Sequence, residues 1–180
     1  QIGGQDQWGN ITSGLELIRK KHGNDVECYG LTMPLITKAD GTKFGKSESG
    51  TVWLDAKKTS PYEMYQFLVN SEDAKVIEYL KRFTFLDKEE IDRLEECVAQ
   101  EPHLREAQKA LAREVVTFLH GSAAYETALK ITNALFKGNI RDLNADEQRD
   151  ALNSMEKRSL QEPMDLTSML VTTKIASSKR

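Results

Sequence analysis

Cysteine is scarce in this sequence, with two in 180 residues, Cys28 and Cys97, far apart along the chain. Two thiols build neither a disulfide framework nor a four-cysteine metal site, so both are expected to be reduced. No apolar run approaches the roughly 18 residues that a membrane-spanning helix needs, and the N-terminus lacks the basic-then-apolar pattern of a secretion signal. A cytoplasmic location, or an organelle matrix, is therefore expected, with no membrane partner. Charge of one sign is lacking as well: 25 Lys and Arg stand against 28 Asp and Glu, a net −3. That excludes a strongly basic nucleic-acid-coating protein but leaves room for localised phosphate contacts. Proline (4) and glycine (11) are few, and 39% hydrophobic with 29% charged residues is the composition of a globular chain, not a disordered or fibrous one. The length suits one domain with an appendage or two small ones. The chain opens on Gln1-Ile2-Gly3-Gly4 without Met, as a piece of a longer protein would.

Glycine is also unevenly placed, with nine of the 11 at or before Gly50 and none from there to Gly121. The first third is thus turn-rich. There, Asn10 is positioned to cap a helix carrying Ile11, Leu15 and Ile18 to a basic end, Arg19-Lys20-Lys21, with Gly23 as its stop. Leu31 to Thr37 reads as a short buried strand, with Pro34 at a sheet edge or a strand end, and Val52-Trp53-Leu54 as a second brief strand or extended segment. From Ser60 onward helix signals follow one another. Ser60 and Glu63 form a capping box with Pro61 at the first helical position, Ser71 is a cap for the next helix, and Asp87 with Glu90 opens another. Pro102 begins a longer helix with an apolar stripe of Leu104, Ala107, Leu111, Val115 and Phe118 that ends at Gly121. Further helices are expected from Ser122 to Gly138, from the capping box Asn144 and Glu147, and over Leu166 to Leu170.

The chemistry-bearing stretch is Lys38-Ala39-Asp40-Gly41-Thr42-Lys43-Phe44-Gly45-Lys46-Ser47, a loop after a strand with three lysines, two glycines and, beside Thr42, the hydroxyl of Ser47. Glycine admits close backbone approach, lysine supplies mobile positive charge and the hydroxyl adds a donor, a combination suited to phosphate. A phosphate-binding Walker loop needs four residues between its glycines, and Gly41 and Gly45 have three between them. Near the N-terminus, Gln1-Ile2-Gly3-Gly4-Gln5-Asp6-Gln7-Trp8-Gly9-Asn10 puts paired glycines, an acid and an amide just before a helix. There the backbone can touch a ligand, the acid can accept both ribose hydroxyls and the amide can orient a carboxylate; a tight turn capped by Asp6 is the plain alternative.

Taken together, these two segments resemble the bacterial-type tyrosyl-tRNA synthetases, class I enzymes with a Rossmann-like catalytic domain. Gln1 to Asn10 is similar to that family's QxGGxDQWGN segment, and Lys43-Phe44-Gly45-Lys46-Ser47 to its form of the class I KMSKS signature. Lys58-Thr59-Ser60-Pro61-Tyr62 and Phe83-Thr84-Phe85 also read like family sequence. Tryptophanyl enzymes share the Asp-Gln step, but Trp8-Gly9-Asn10 and the KFGKS form point to tyrosine.

The resemblance implies an α/β then all-α fold. Residues 1–83 would be the C-terminal part of the Rossmann-like catalytic domain, and 84–180 an α-helical domain facing the tRNA anticodon arm. The last residues, from Ile175, would begin a linker to an RNA-binding domain. It implies a tyrosine–tRNA ligase that makes tyrosyl-adenylate from tyrosine and ATP and then charges tRNA(Tyr), working as a homodimer when intact. Asp6 and the Gly4 backbone would hold the adenosine ribose, Gln7 would contact the tyrosine carboxyl region, and Gln1 would lie beside the amino-acid pocket. The backbone of Leu35 and Ile36 would face adenine; Lys43, Lys46 and Ser47 would grip the departing pyrophosphate, with Lys38 a helper. ATP would arrive as substrate with Mg²⁺, and no protein-bound metal is expected. Nothing like the family's HIGH-type histidine segment occurs in the sequence, since His22, His103 and His120 do not match it, and the family's tyrosine-hydroxyl readers lie upstream, so this chain alone is expected to be inactive. Arg105, Lys109, Arg113 and Lys130 are basic helix residues that can meet tRNA phosphates or simply be solvated. A phosphate-loop nucleotide hydrolase and a non-catalytic helical RNA-binding module are the readings to be weighed against the ligase.

Overall fold

The computed structural model describes residues 2–47, 50–153 and 164–173, and of residues 46, 47 and 50 the backbone. The chain divides into two compact units, Gln1–Tyr125 and Glu126–Arg180. No helix among the described residues is long and apolar enough to cross a membrane, and both cysteines are free thiols.

The first unit begins with strand β1, Ile2–Gly4, a 3-10 turn over Gln5–Gln7, helix α1, Trp8–His22, and strand β2, Leu31–Met33. β1 and β2 pair in parallel, with Ile2 opposite Leu31 and Gly4 opposite Met33. The helical crossover is what a parallel pair requires. Ile11 of α1 is fully buried, and a Cβ at Gly30 would collide with its Cγ2, so the missing side chain there is what lets the helix sit close. α1 starts before Asn10, which lies inside it and donates from Nδ2 to Gln7 Oε1 at 2.9 Å. The 3-10 turn already sets helical geometry, so no side-chain cap is needed. Gly23 ends the helix as expected, at φ 81°.

β2 is shorter and less buried than its apolar sequence suggests. It stops before Pro34, and Leu31 and Met33 remain 54% and 52% exposed. Val52–Leu54 forms no strand; the pairing lies just before it, where strand β3, Lys46–Ser47, runs antiparallel to β4, Gly50–Thr51. Thr59 Oγ1 accepts from Trp53 N–H at 2.9 Å, fixing that segment instead by a side chain.

Four helices complete the unit: α2, Pro61–Val69; α3, Asp73–Phe83; α4, Lys88–Gln100; and α5, Glu106–His120. The Ser60–Glu63 capping box is complete, and the Asp87 carboxylate accepts from Glu90 N–H at 2.9 Å. Ser71 is not the cap of α3; Glu72 occupies that position, and Ser71 is buried with its carbonyl turned to Arg105. Pro102 starts a 3-10 turn, not the long helix. Arg105 then takes a left-handed conformation, φ 52°, before α5 begins.

That break rotates the buried face of α5. Ala107, Gln108, Leu111, Ala112 and Val116 are buried, whereas Phe118 is 70% exposed and lies tilted against Phe85, with ring centroids 5.6 Å apart. α5 packs against α2, α3 and α4 at once, and alanines on the buried face let three neighbours approach one helix.

In the second unit, helix α6 enters as Ser122–Phe136, α7 spans Ala145–Asn153 and α8 spans Leu166–Thr172. Ile131, Leu143 and Ala151 are buried. Asn144 Oδ1 accepts from Glu147 N–H at 2.9 Å while Glu147 Oε2 accepts from Asn144 N–H at 2.8 Å, the capping box the sequence announces. Lys130 Nζ lies 2.7 Å from the same glutamate. Residues from 174 onward, including the expected linker, lie outside the described residues.

Candidate active site

Both parallel strands end at the same level, since Gly4 pairs with Met33. The chain leaving β1 delivers Asp6 and Gln7, and the chain leaving β2 delivers Pro34, Leu35 and Ile36. This is the carboxyl end of a parallel sheet, where open α/β folds bind ligands. A Cβ added at Gly4 would stand 2.5 Å from both Asp6 Oδ1 and Leu35 Cδ2, so any larger residue there would displace the side chains of Asp6 and Leu35.

The lysine loop folds back onto this edge. Thr37 and Lys43 bridge antiparallel, Lys38 N–H donates to the Thr42 carbonyl at 2.8 Å, and Phe44 N–H donates to the Ile36 carbonyl at 3.0 Å. Asp40 caps the turn by accepting from Thr42 N–H at 2.8 Å and from its hydroxyl at 2.6 Å, which lowers the Asp40 carboxyl below its ordinary value. Gly41 and Gly45 hold φ 82° and 83°, angles that cost L side chains energy, so both glycines are required by the turn. The hairpin places Lys43 Nζ 3.2 Å from Asp6 Oδ2.

Gly4, Asp6, Leu35 and Lys43, four of the residues singled out from the sequence, thus meet at one place. The Ile36 carbonyl serves the root of the loop. Gln7 sits beside them, its side chain accepting from Asn10. The backbone at Lys46 and Ser47 pairs with Thr51 and Gly50, and Val52 N–H donates to the Gly45 carbonyl at 2.9 Å, closing the far limb of the loop. Gln1 lies outside the described residues. Lys38 contributes its backbone to the turn.

Lys43 has an electrostatic consequence for Asp6. The hydrogen bond from its ammonium holds the Asp6 carboxyl below the ordinary 3.8, against a smaller opposing push from desolvation and with a minor contribution from Gln7. A depressed carboxyl pKa means that the pair is intact above about 3.8 and is lost as pH falls through the lower folded value. An NMR titration of the Asp6 carboxyl is expected to give a midpoint below 3.8, returning toward it in Lys43→Ala. A midpoint unmoved by that substitution would show that the two groups do not pair.

Sequence reasoning missed what holds the loop. The Phe44 ring, between Lys43 and Gly45, packs at 4.4 Å from Tyr79, 5.2 Å from Phe67 and 5.2 Å from Phe83, a cage built by α2 and α3. Tyr79 Oη donates to the Thr37 carbonyl at 2.9 Å, and Glu72 Oε2 accepts from Ala39 N–H at 2.8 Å. The available signal was an aromatic residue in the middle of an otherwise polar loop, followed by Phe67, Tyr79 and Phe83 on two amphipathic helices. Beyond the loop, Lys58 Nζ lies 4.2 Å from the centre of the Trp53 ring, a cation–π contact.

The family profile described as "tRNA synthetases class I (W and Y)" matches residues 1–137. The chain belongs to that family. Over its whole length the chain is 56% identical to the tyrosine–tRNA ligase of Staphylococcus carnosus and 57% identical to that of Bacillus pumilus, in each case spanning 43% of the relative's length. Among solved structures, it is similar to a C-terminally truncated mitochondrial tyrosyl-tRNA synthetase from Coccidioides posadasii, with TM-score 0.58 and 40% identity over 72% of this chain and 38% of that one. The corresponding enzyme from Aspergillus nidulans gives TM-score 0.61 and 35% identity over 76% of this chain and 39% of that one. The α/β then helical fold expected of a class I synthetase is borne out, and the phosphate-loop hydrolase reading falls with it.

Proposed function

We propose that this chain is the part of a tyrosine–tRNA ligase that holds the nucleotide during tyrosine activation and continues into the helices facing the tRNA. The observation that carries the reading is the convergence of Gly4, Asp6, Leu35 and Lys43 at the carboxyl end of the β1–β2 pair. An exposed Asp–Lys pair in water is weakly held, so ATP exchanges it. The ribose hydroxyls donate to Asp6 while Lys43 turns to the phosphates. Gly4 leaves its backbone open to the ribose, the Leu35 and Ile36 backbone faces adenine, and Gln7, with Gln1, lies toward the tyrosine carboxyl. Lys43, Lys46 and Ser47 hold the pyrophosphate as it departs, and Mg²⁺ enters as part of the ATP substrate.

In-line attack of the tyrosine carboxylate on the α-phosphate builds negative charge on the bridging and pyrophosphate oxygens. Ammonium groups placed there stabilise the transition state more than the ground state. Within this reading residues 1–83 serve the catalytic domain and 84–180 the anticodon-arm side of tRNA(Tyr), and the intact enzyme is a homodimer of the cytoplasm or an organelle matrix. The decisive experiment is amino-acid-dependent ATP/pyrophosphate exchange on the complete enzyme across all twenty amino acids. Tyrosine alone is expected to support exchange. Exchange with tryptophan instead would keep the ligase and correct its substrate, and exchange with none would leave a non-catalytic module.

A further inference from the structure

Helix α3 grips the root of the lysine loop at two points, one on each side of Lys38. Tyr79 Oη donates to the Thr37 carbonyl at 2.9 Å, and the Glu72 carboxylate accepts from Ala39 N–H at 2.8 Å. Thr37 is also the bridge partner of Lys43, so a shift of the root is carried directly to that lysine. On the other strand Phe44, the neighbour of Lys43, rests on the same Tyr79 ring at 4.4 Å. One buried tyrosine, 2% exposed, therefore touches both strands of the hairpin that presents Lys43.

We infer that Tyr79 and Glu72 are positioning residues for the activation step: they fix the hairpin root on α3 so that Lys43 meets the nucleotide phosphates without reorganising. The inference rests on the reading of Lys43 as a phosphate-gripping group. Its physical basis is that a charge stabilises a transition state best when its placement costs nothing at the moment of reaction. A hairpin turning through glycine at φ 82° and flanked by another at 83° has little stiffness of its own. The helix supplies it. Burial pushes the Tyr79 hydroxyl up to about 12, with nearby Glu72, Glu78 and Asp40 adding to the shift, so it remains a proton donor to Thr37 throughout the neutral range.

Three substitutions separate this role from simple stability. Tyr79→Phe keeps the ring against Phe44 and removes only the hydroxyl. Glu72→Ala removes the exposed carboxylate, while Glu72→Gln retains an oxygen that can accept from Ala39 N–H.

In the complete enzyme, hydrogen exchange of the 38–44 amides is expected to quicken about tenfold in Tyr79→Phe and in Glu72→Ala, and to return toward the starting rate in Glu72→Gln. Single-turnover adenylate formation is expected to slow about five- to tenfold in Tyr79→Phe, with tyrosine affinity unmoved, and Tyr79→Phe should add nothing in a Lys43→Ala background. Unchanged amide exchange in both variants overturns the clamp. An equal loss of rate with and without Lys43 overturns the positioning role, because the effect would then not pass through that lysine. Should the unmodified enzyme show no amino-acid-dependent exchange, it is the ligase reading that fails, and the amide measurement still decides whether α3 holds the loop.

Discussion

Lys46→Ala in the complete enzyme is expected to slow single-turnover formation of tyrosyl-adenylate by about 10²-fold while leaving tyrosine affinity nearly unchanged. Lys46 opens β3 and is paired through its backbone to Thr51, so its Cα has a defined place in the hairpin that follows the one presenting Lys43. In the proposed reading both lysines of the KFGKS segment serve the nucleotide phosphates. Lys43 is paired with Asp6, so removing it also frees the acid proposed to hold the ribose and mixes two effects. For Lys46 the expected loss falls on the step in which pyrophosphate charge develops, and the fold-change reads transition-state stabilisation more cleanly. A full single-turnover rate in the variant would remove Lys46 from the catalytic machinery. Raised KM for tyrosine with an unaltered rate would move it to ground-state binding.

What could be read from the sequence divides by the range of the interactions involved. The capping boxes at Ser60–Glu63 and Asn144–Glu147 and the Asp87 cap close within four residues, so the chemistry that defines them is contained in the local text. Glycine stops at Gly23 and Gly121 are equally local, each at positive φ. The Asp6–Lys43 pair spans 37 residues and was anticipated only as two segments of one site, through resemblance to a family, not as a contact. The Phe44 cage is legible only as a lone aromatic residue in a polar loop. It depends on where α2 and α3 lie, and nothing in the loop distinguishes an anchoring phenylalanine from an exposed one until Phe67, Tyr79 and Phe83 are placed around it. The α5 stripe went wrong for a related reason. Leu104 and Phe118 keep the helical spacing, but a left-handed Arg105 breaks the helix between Leu104 and Ala107 and turns the face. A side chain 36 residues away from its partner is what holds that break.

Arg105→Ala is expected to destabilise the chain by about 2–3 kcal/mol, the ordinary worth of hydrogen bonds from a charged donor to partly buried carbonyls. The guanidinium donates through Nε and Nη2 to the Val69 carbonyl at 3.1 and 2.7 Å, and through Nη2 to the Ser71 carbonyl at 2.8 Å. Val69 is the last residue of α2, where carbonyls have no partner inside the helix and the dipole favours positive charge. Gln108 Nε2, 3.4 Å from the Ser71 carbonyl, is a weak substitute because it already serves Asp73 at 2.5 Å. Arg105→Lys is expected to recover only part of the loss, since a point-like ammonium cannot span two carbonyls as the planar fork does. Arg105→Gly should be milder than Arg105→Ala by about 0.5–1 kcal/mol, because glycine takes φ 52° without the Cβ cost. Urea unfolding of the four proteins measures the order. A tRNA-phosphate role for Arg105 predicts a different pattern, weaker tRNA binding at unchanged stability and with salt-dependent affinity. An unfolding midpoint unmoved by Arg105→Ala would favour that role. A lowered midpoint ranked Ala, Gly, then arginine itself would establish the residue as the clasp between the end of α2 and the start of α5.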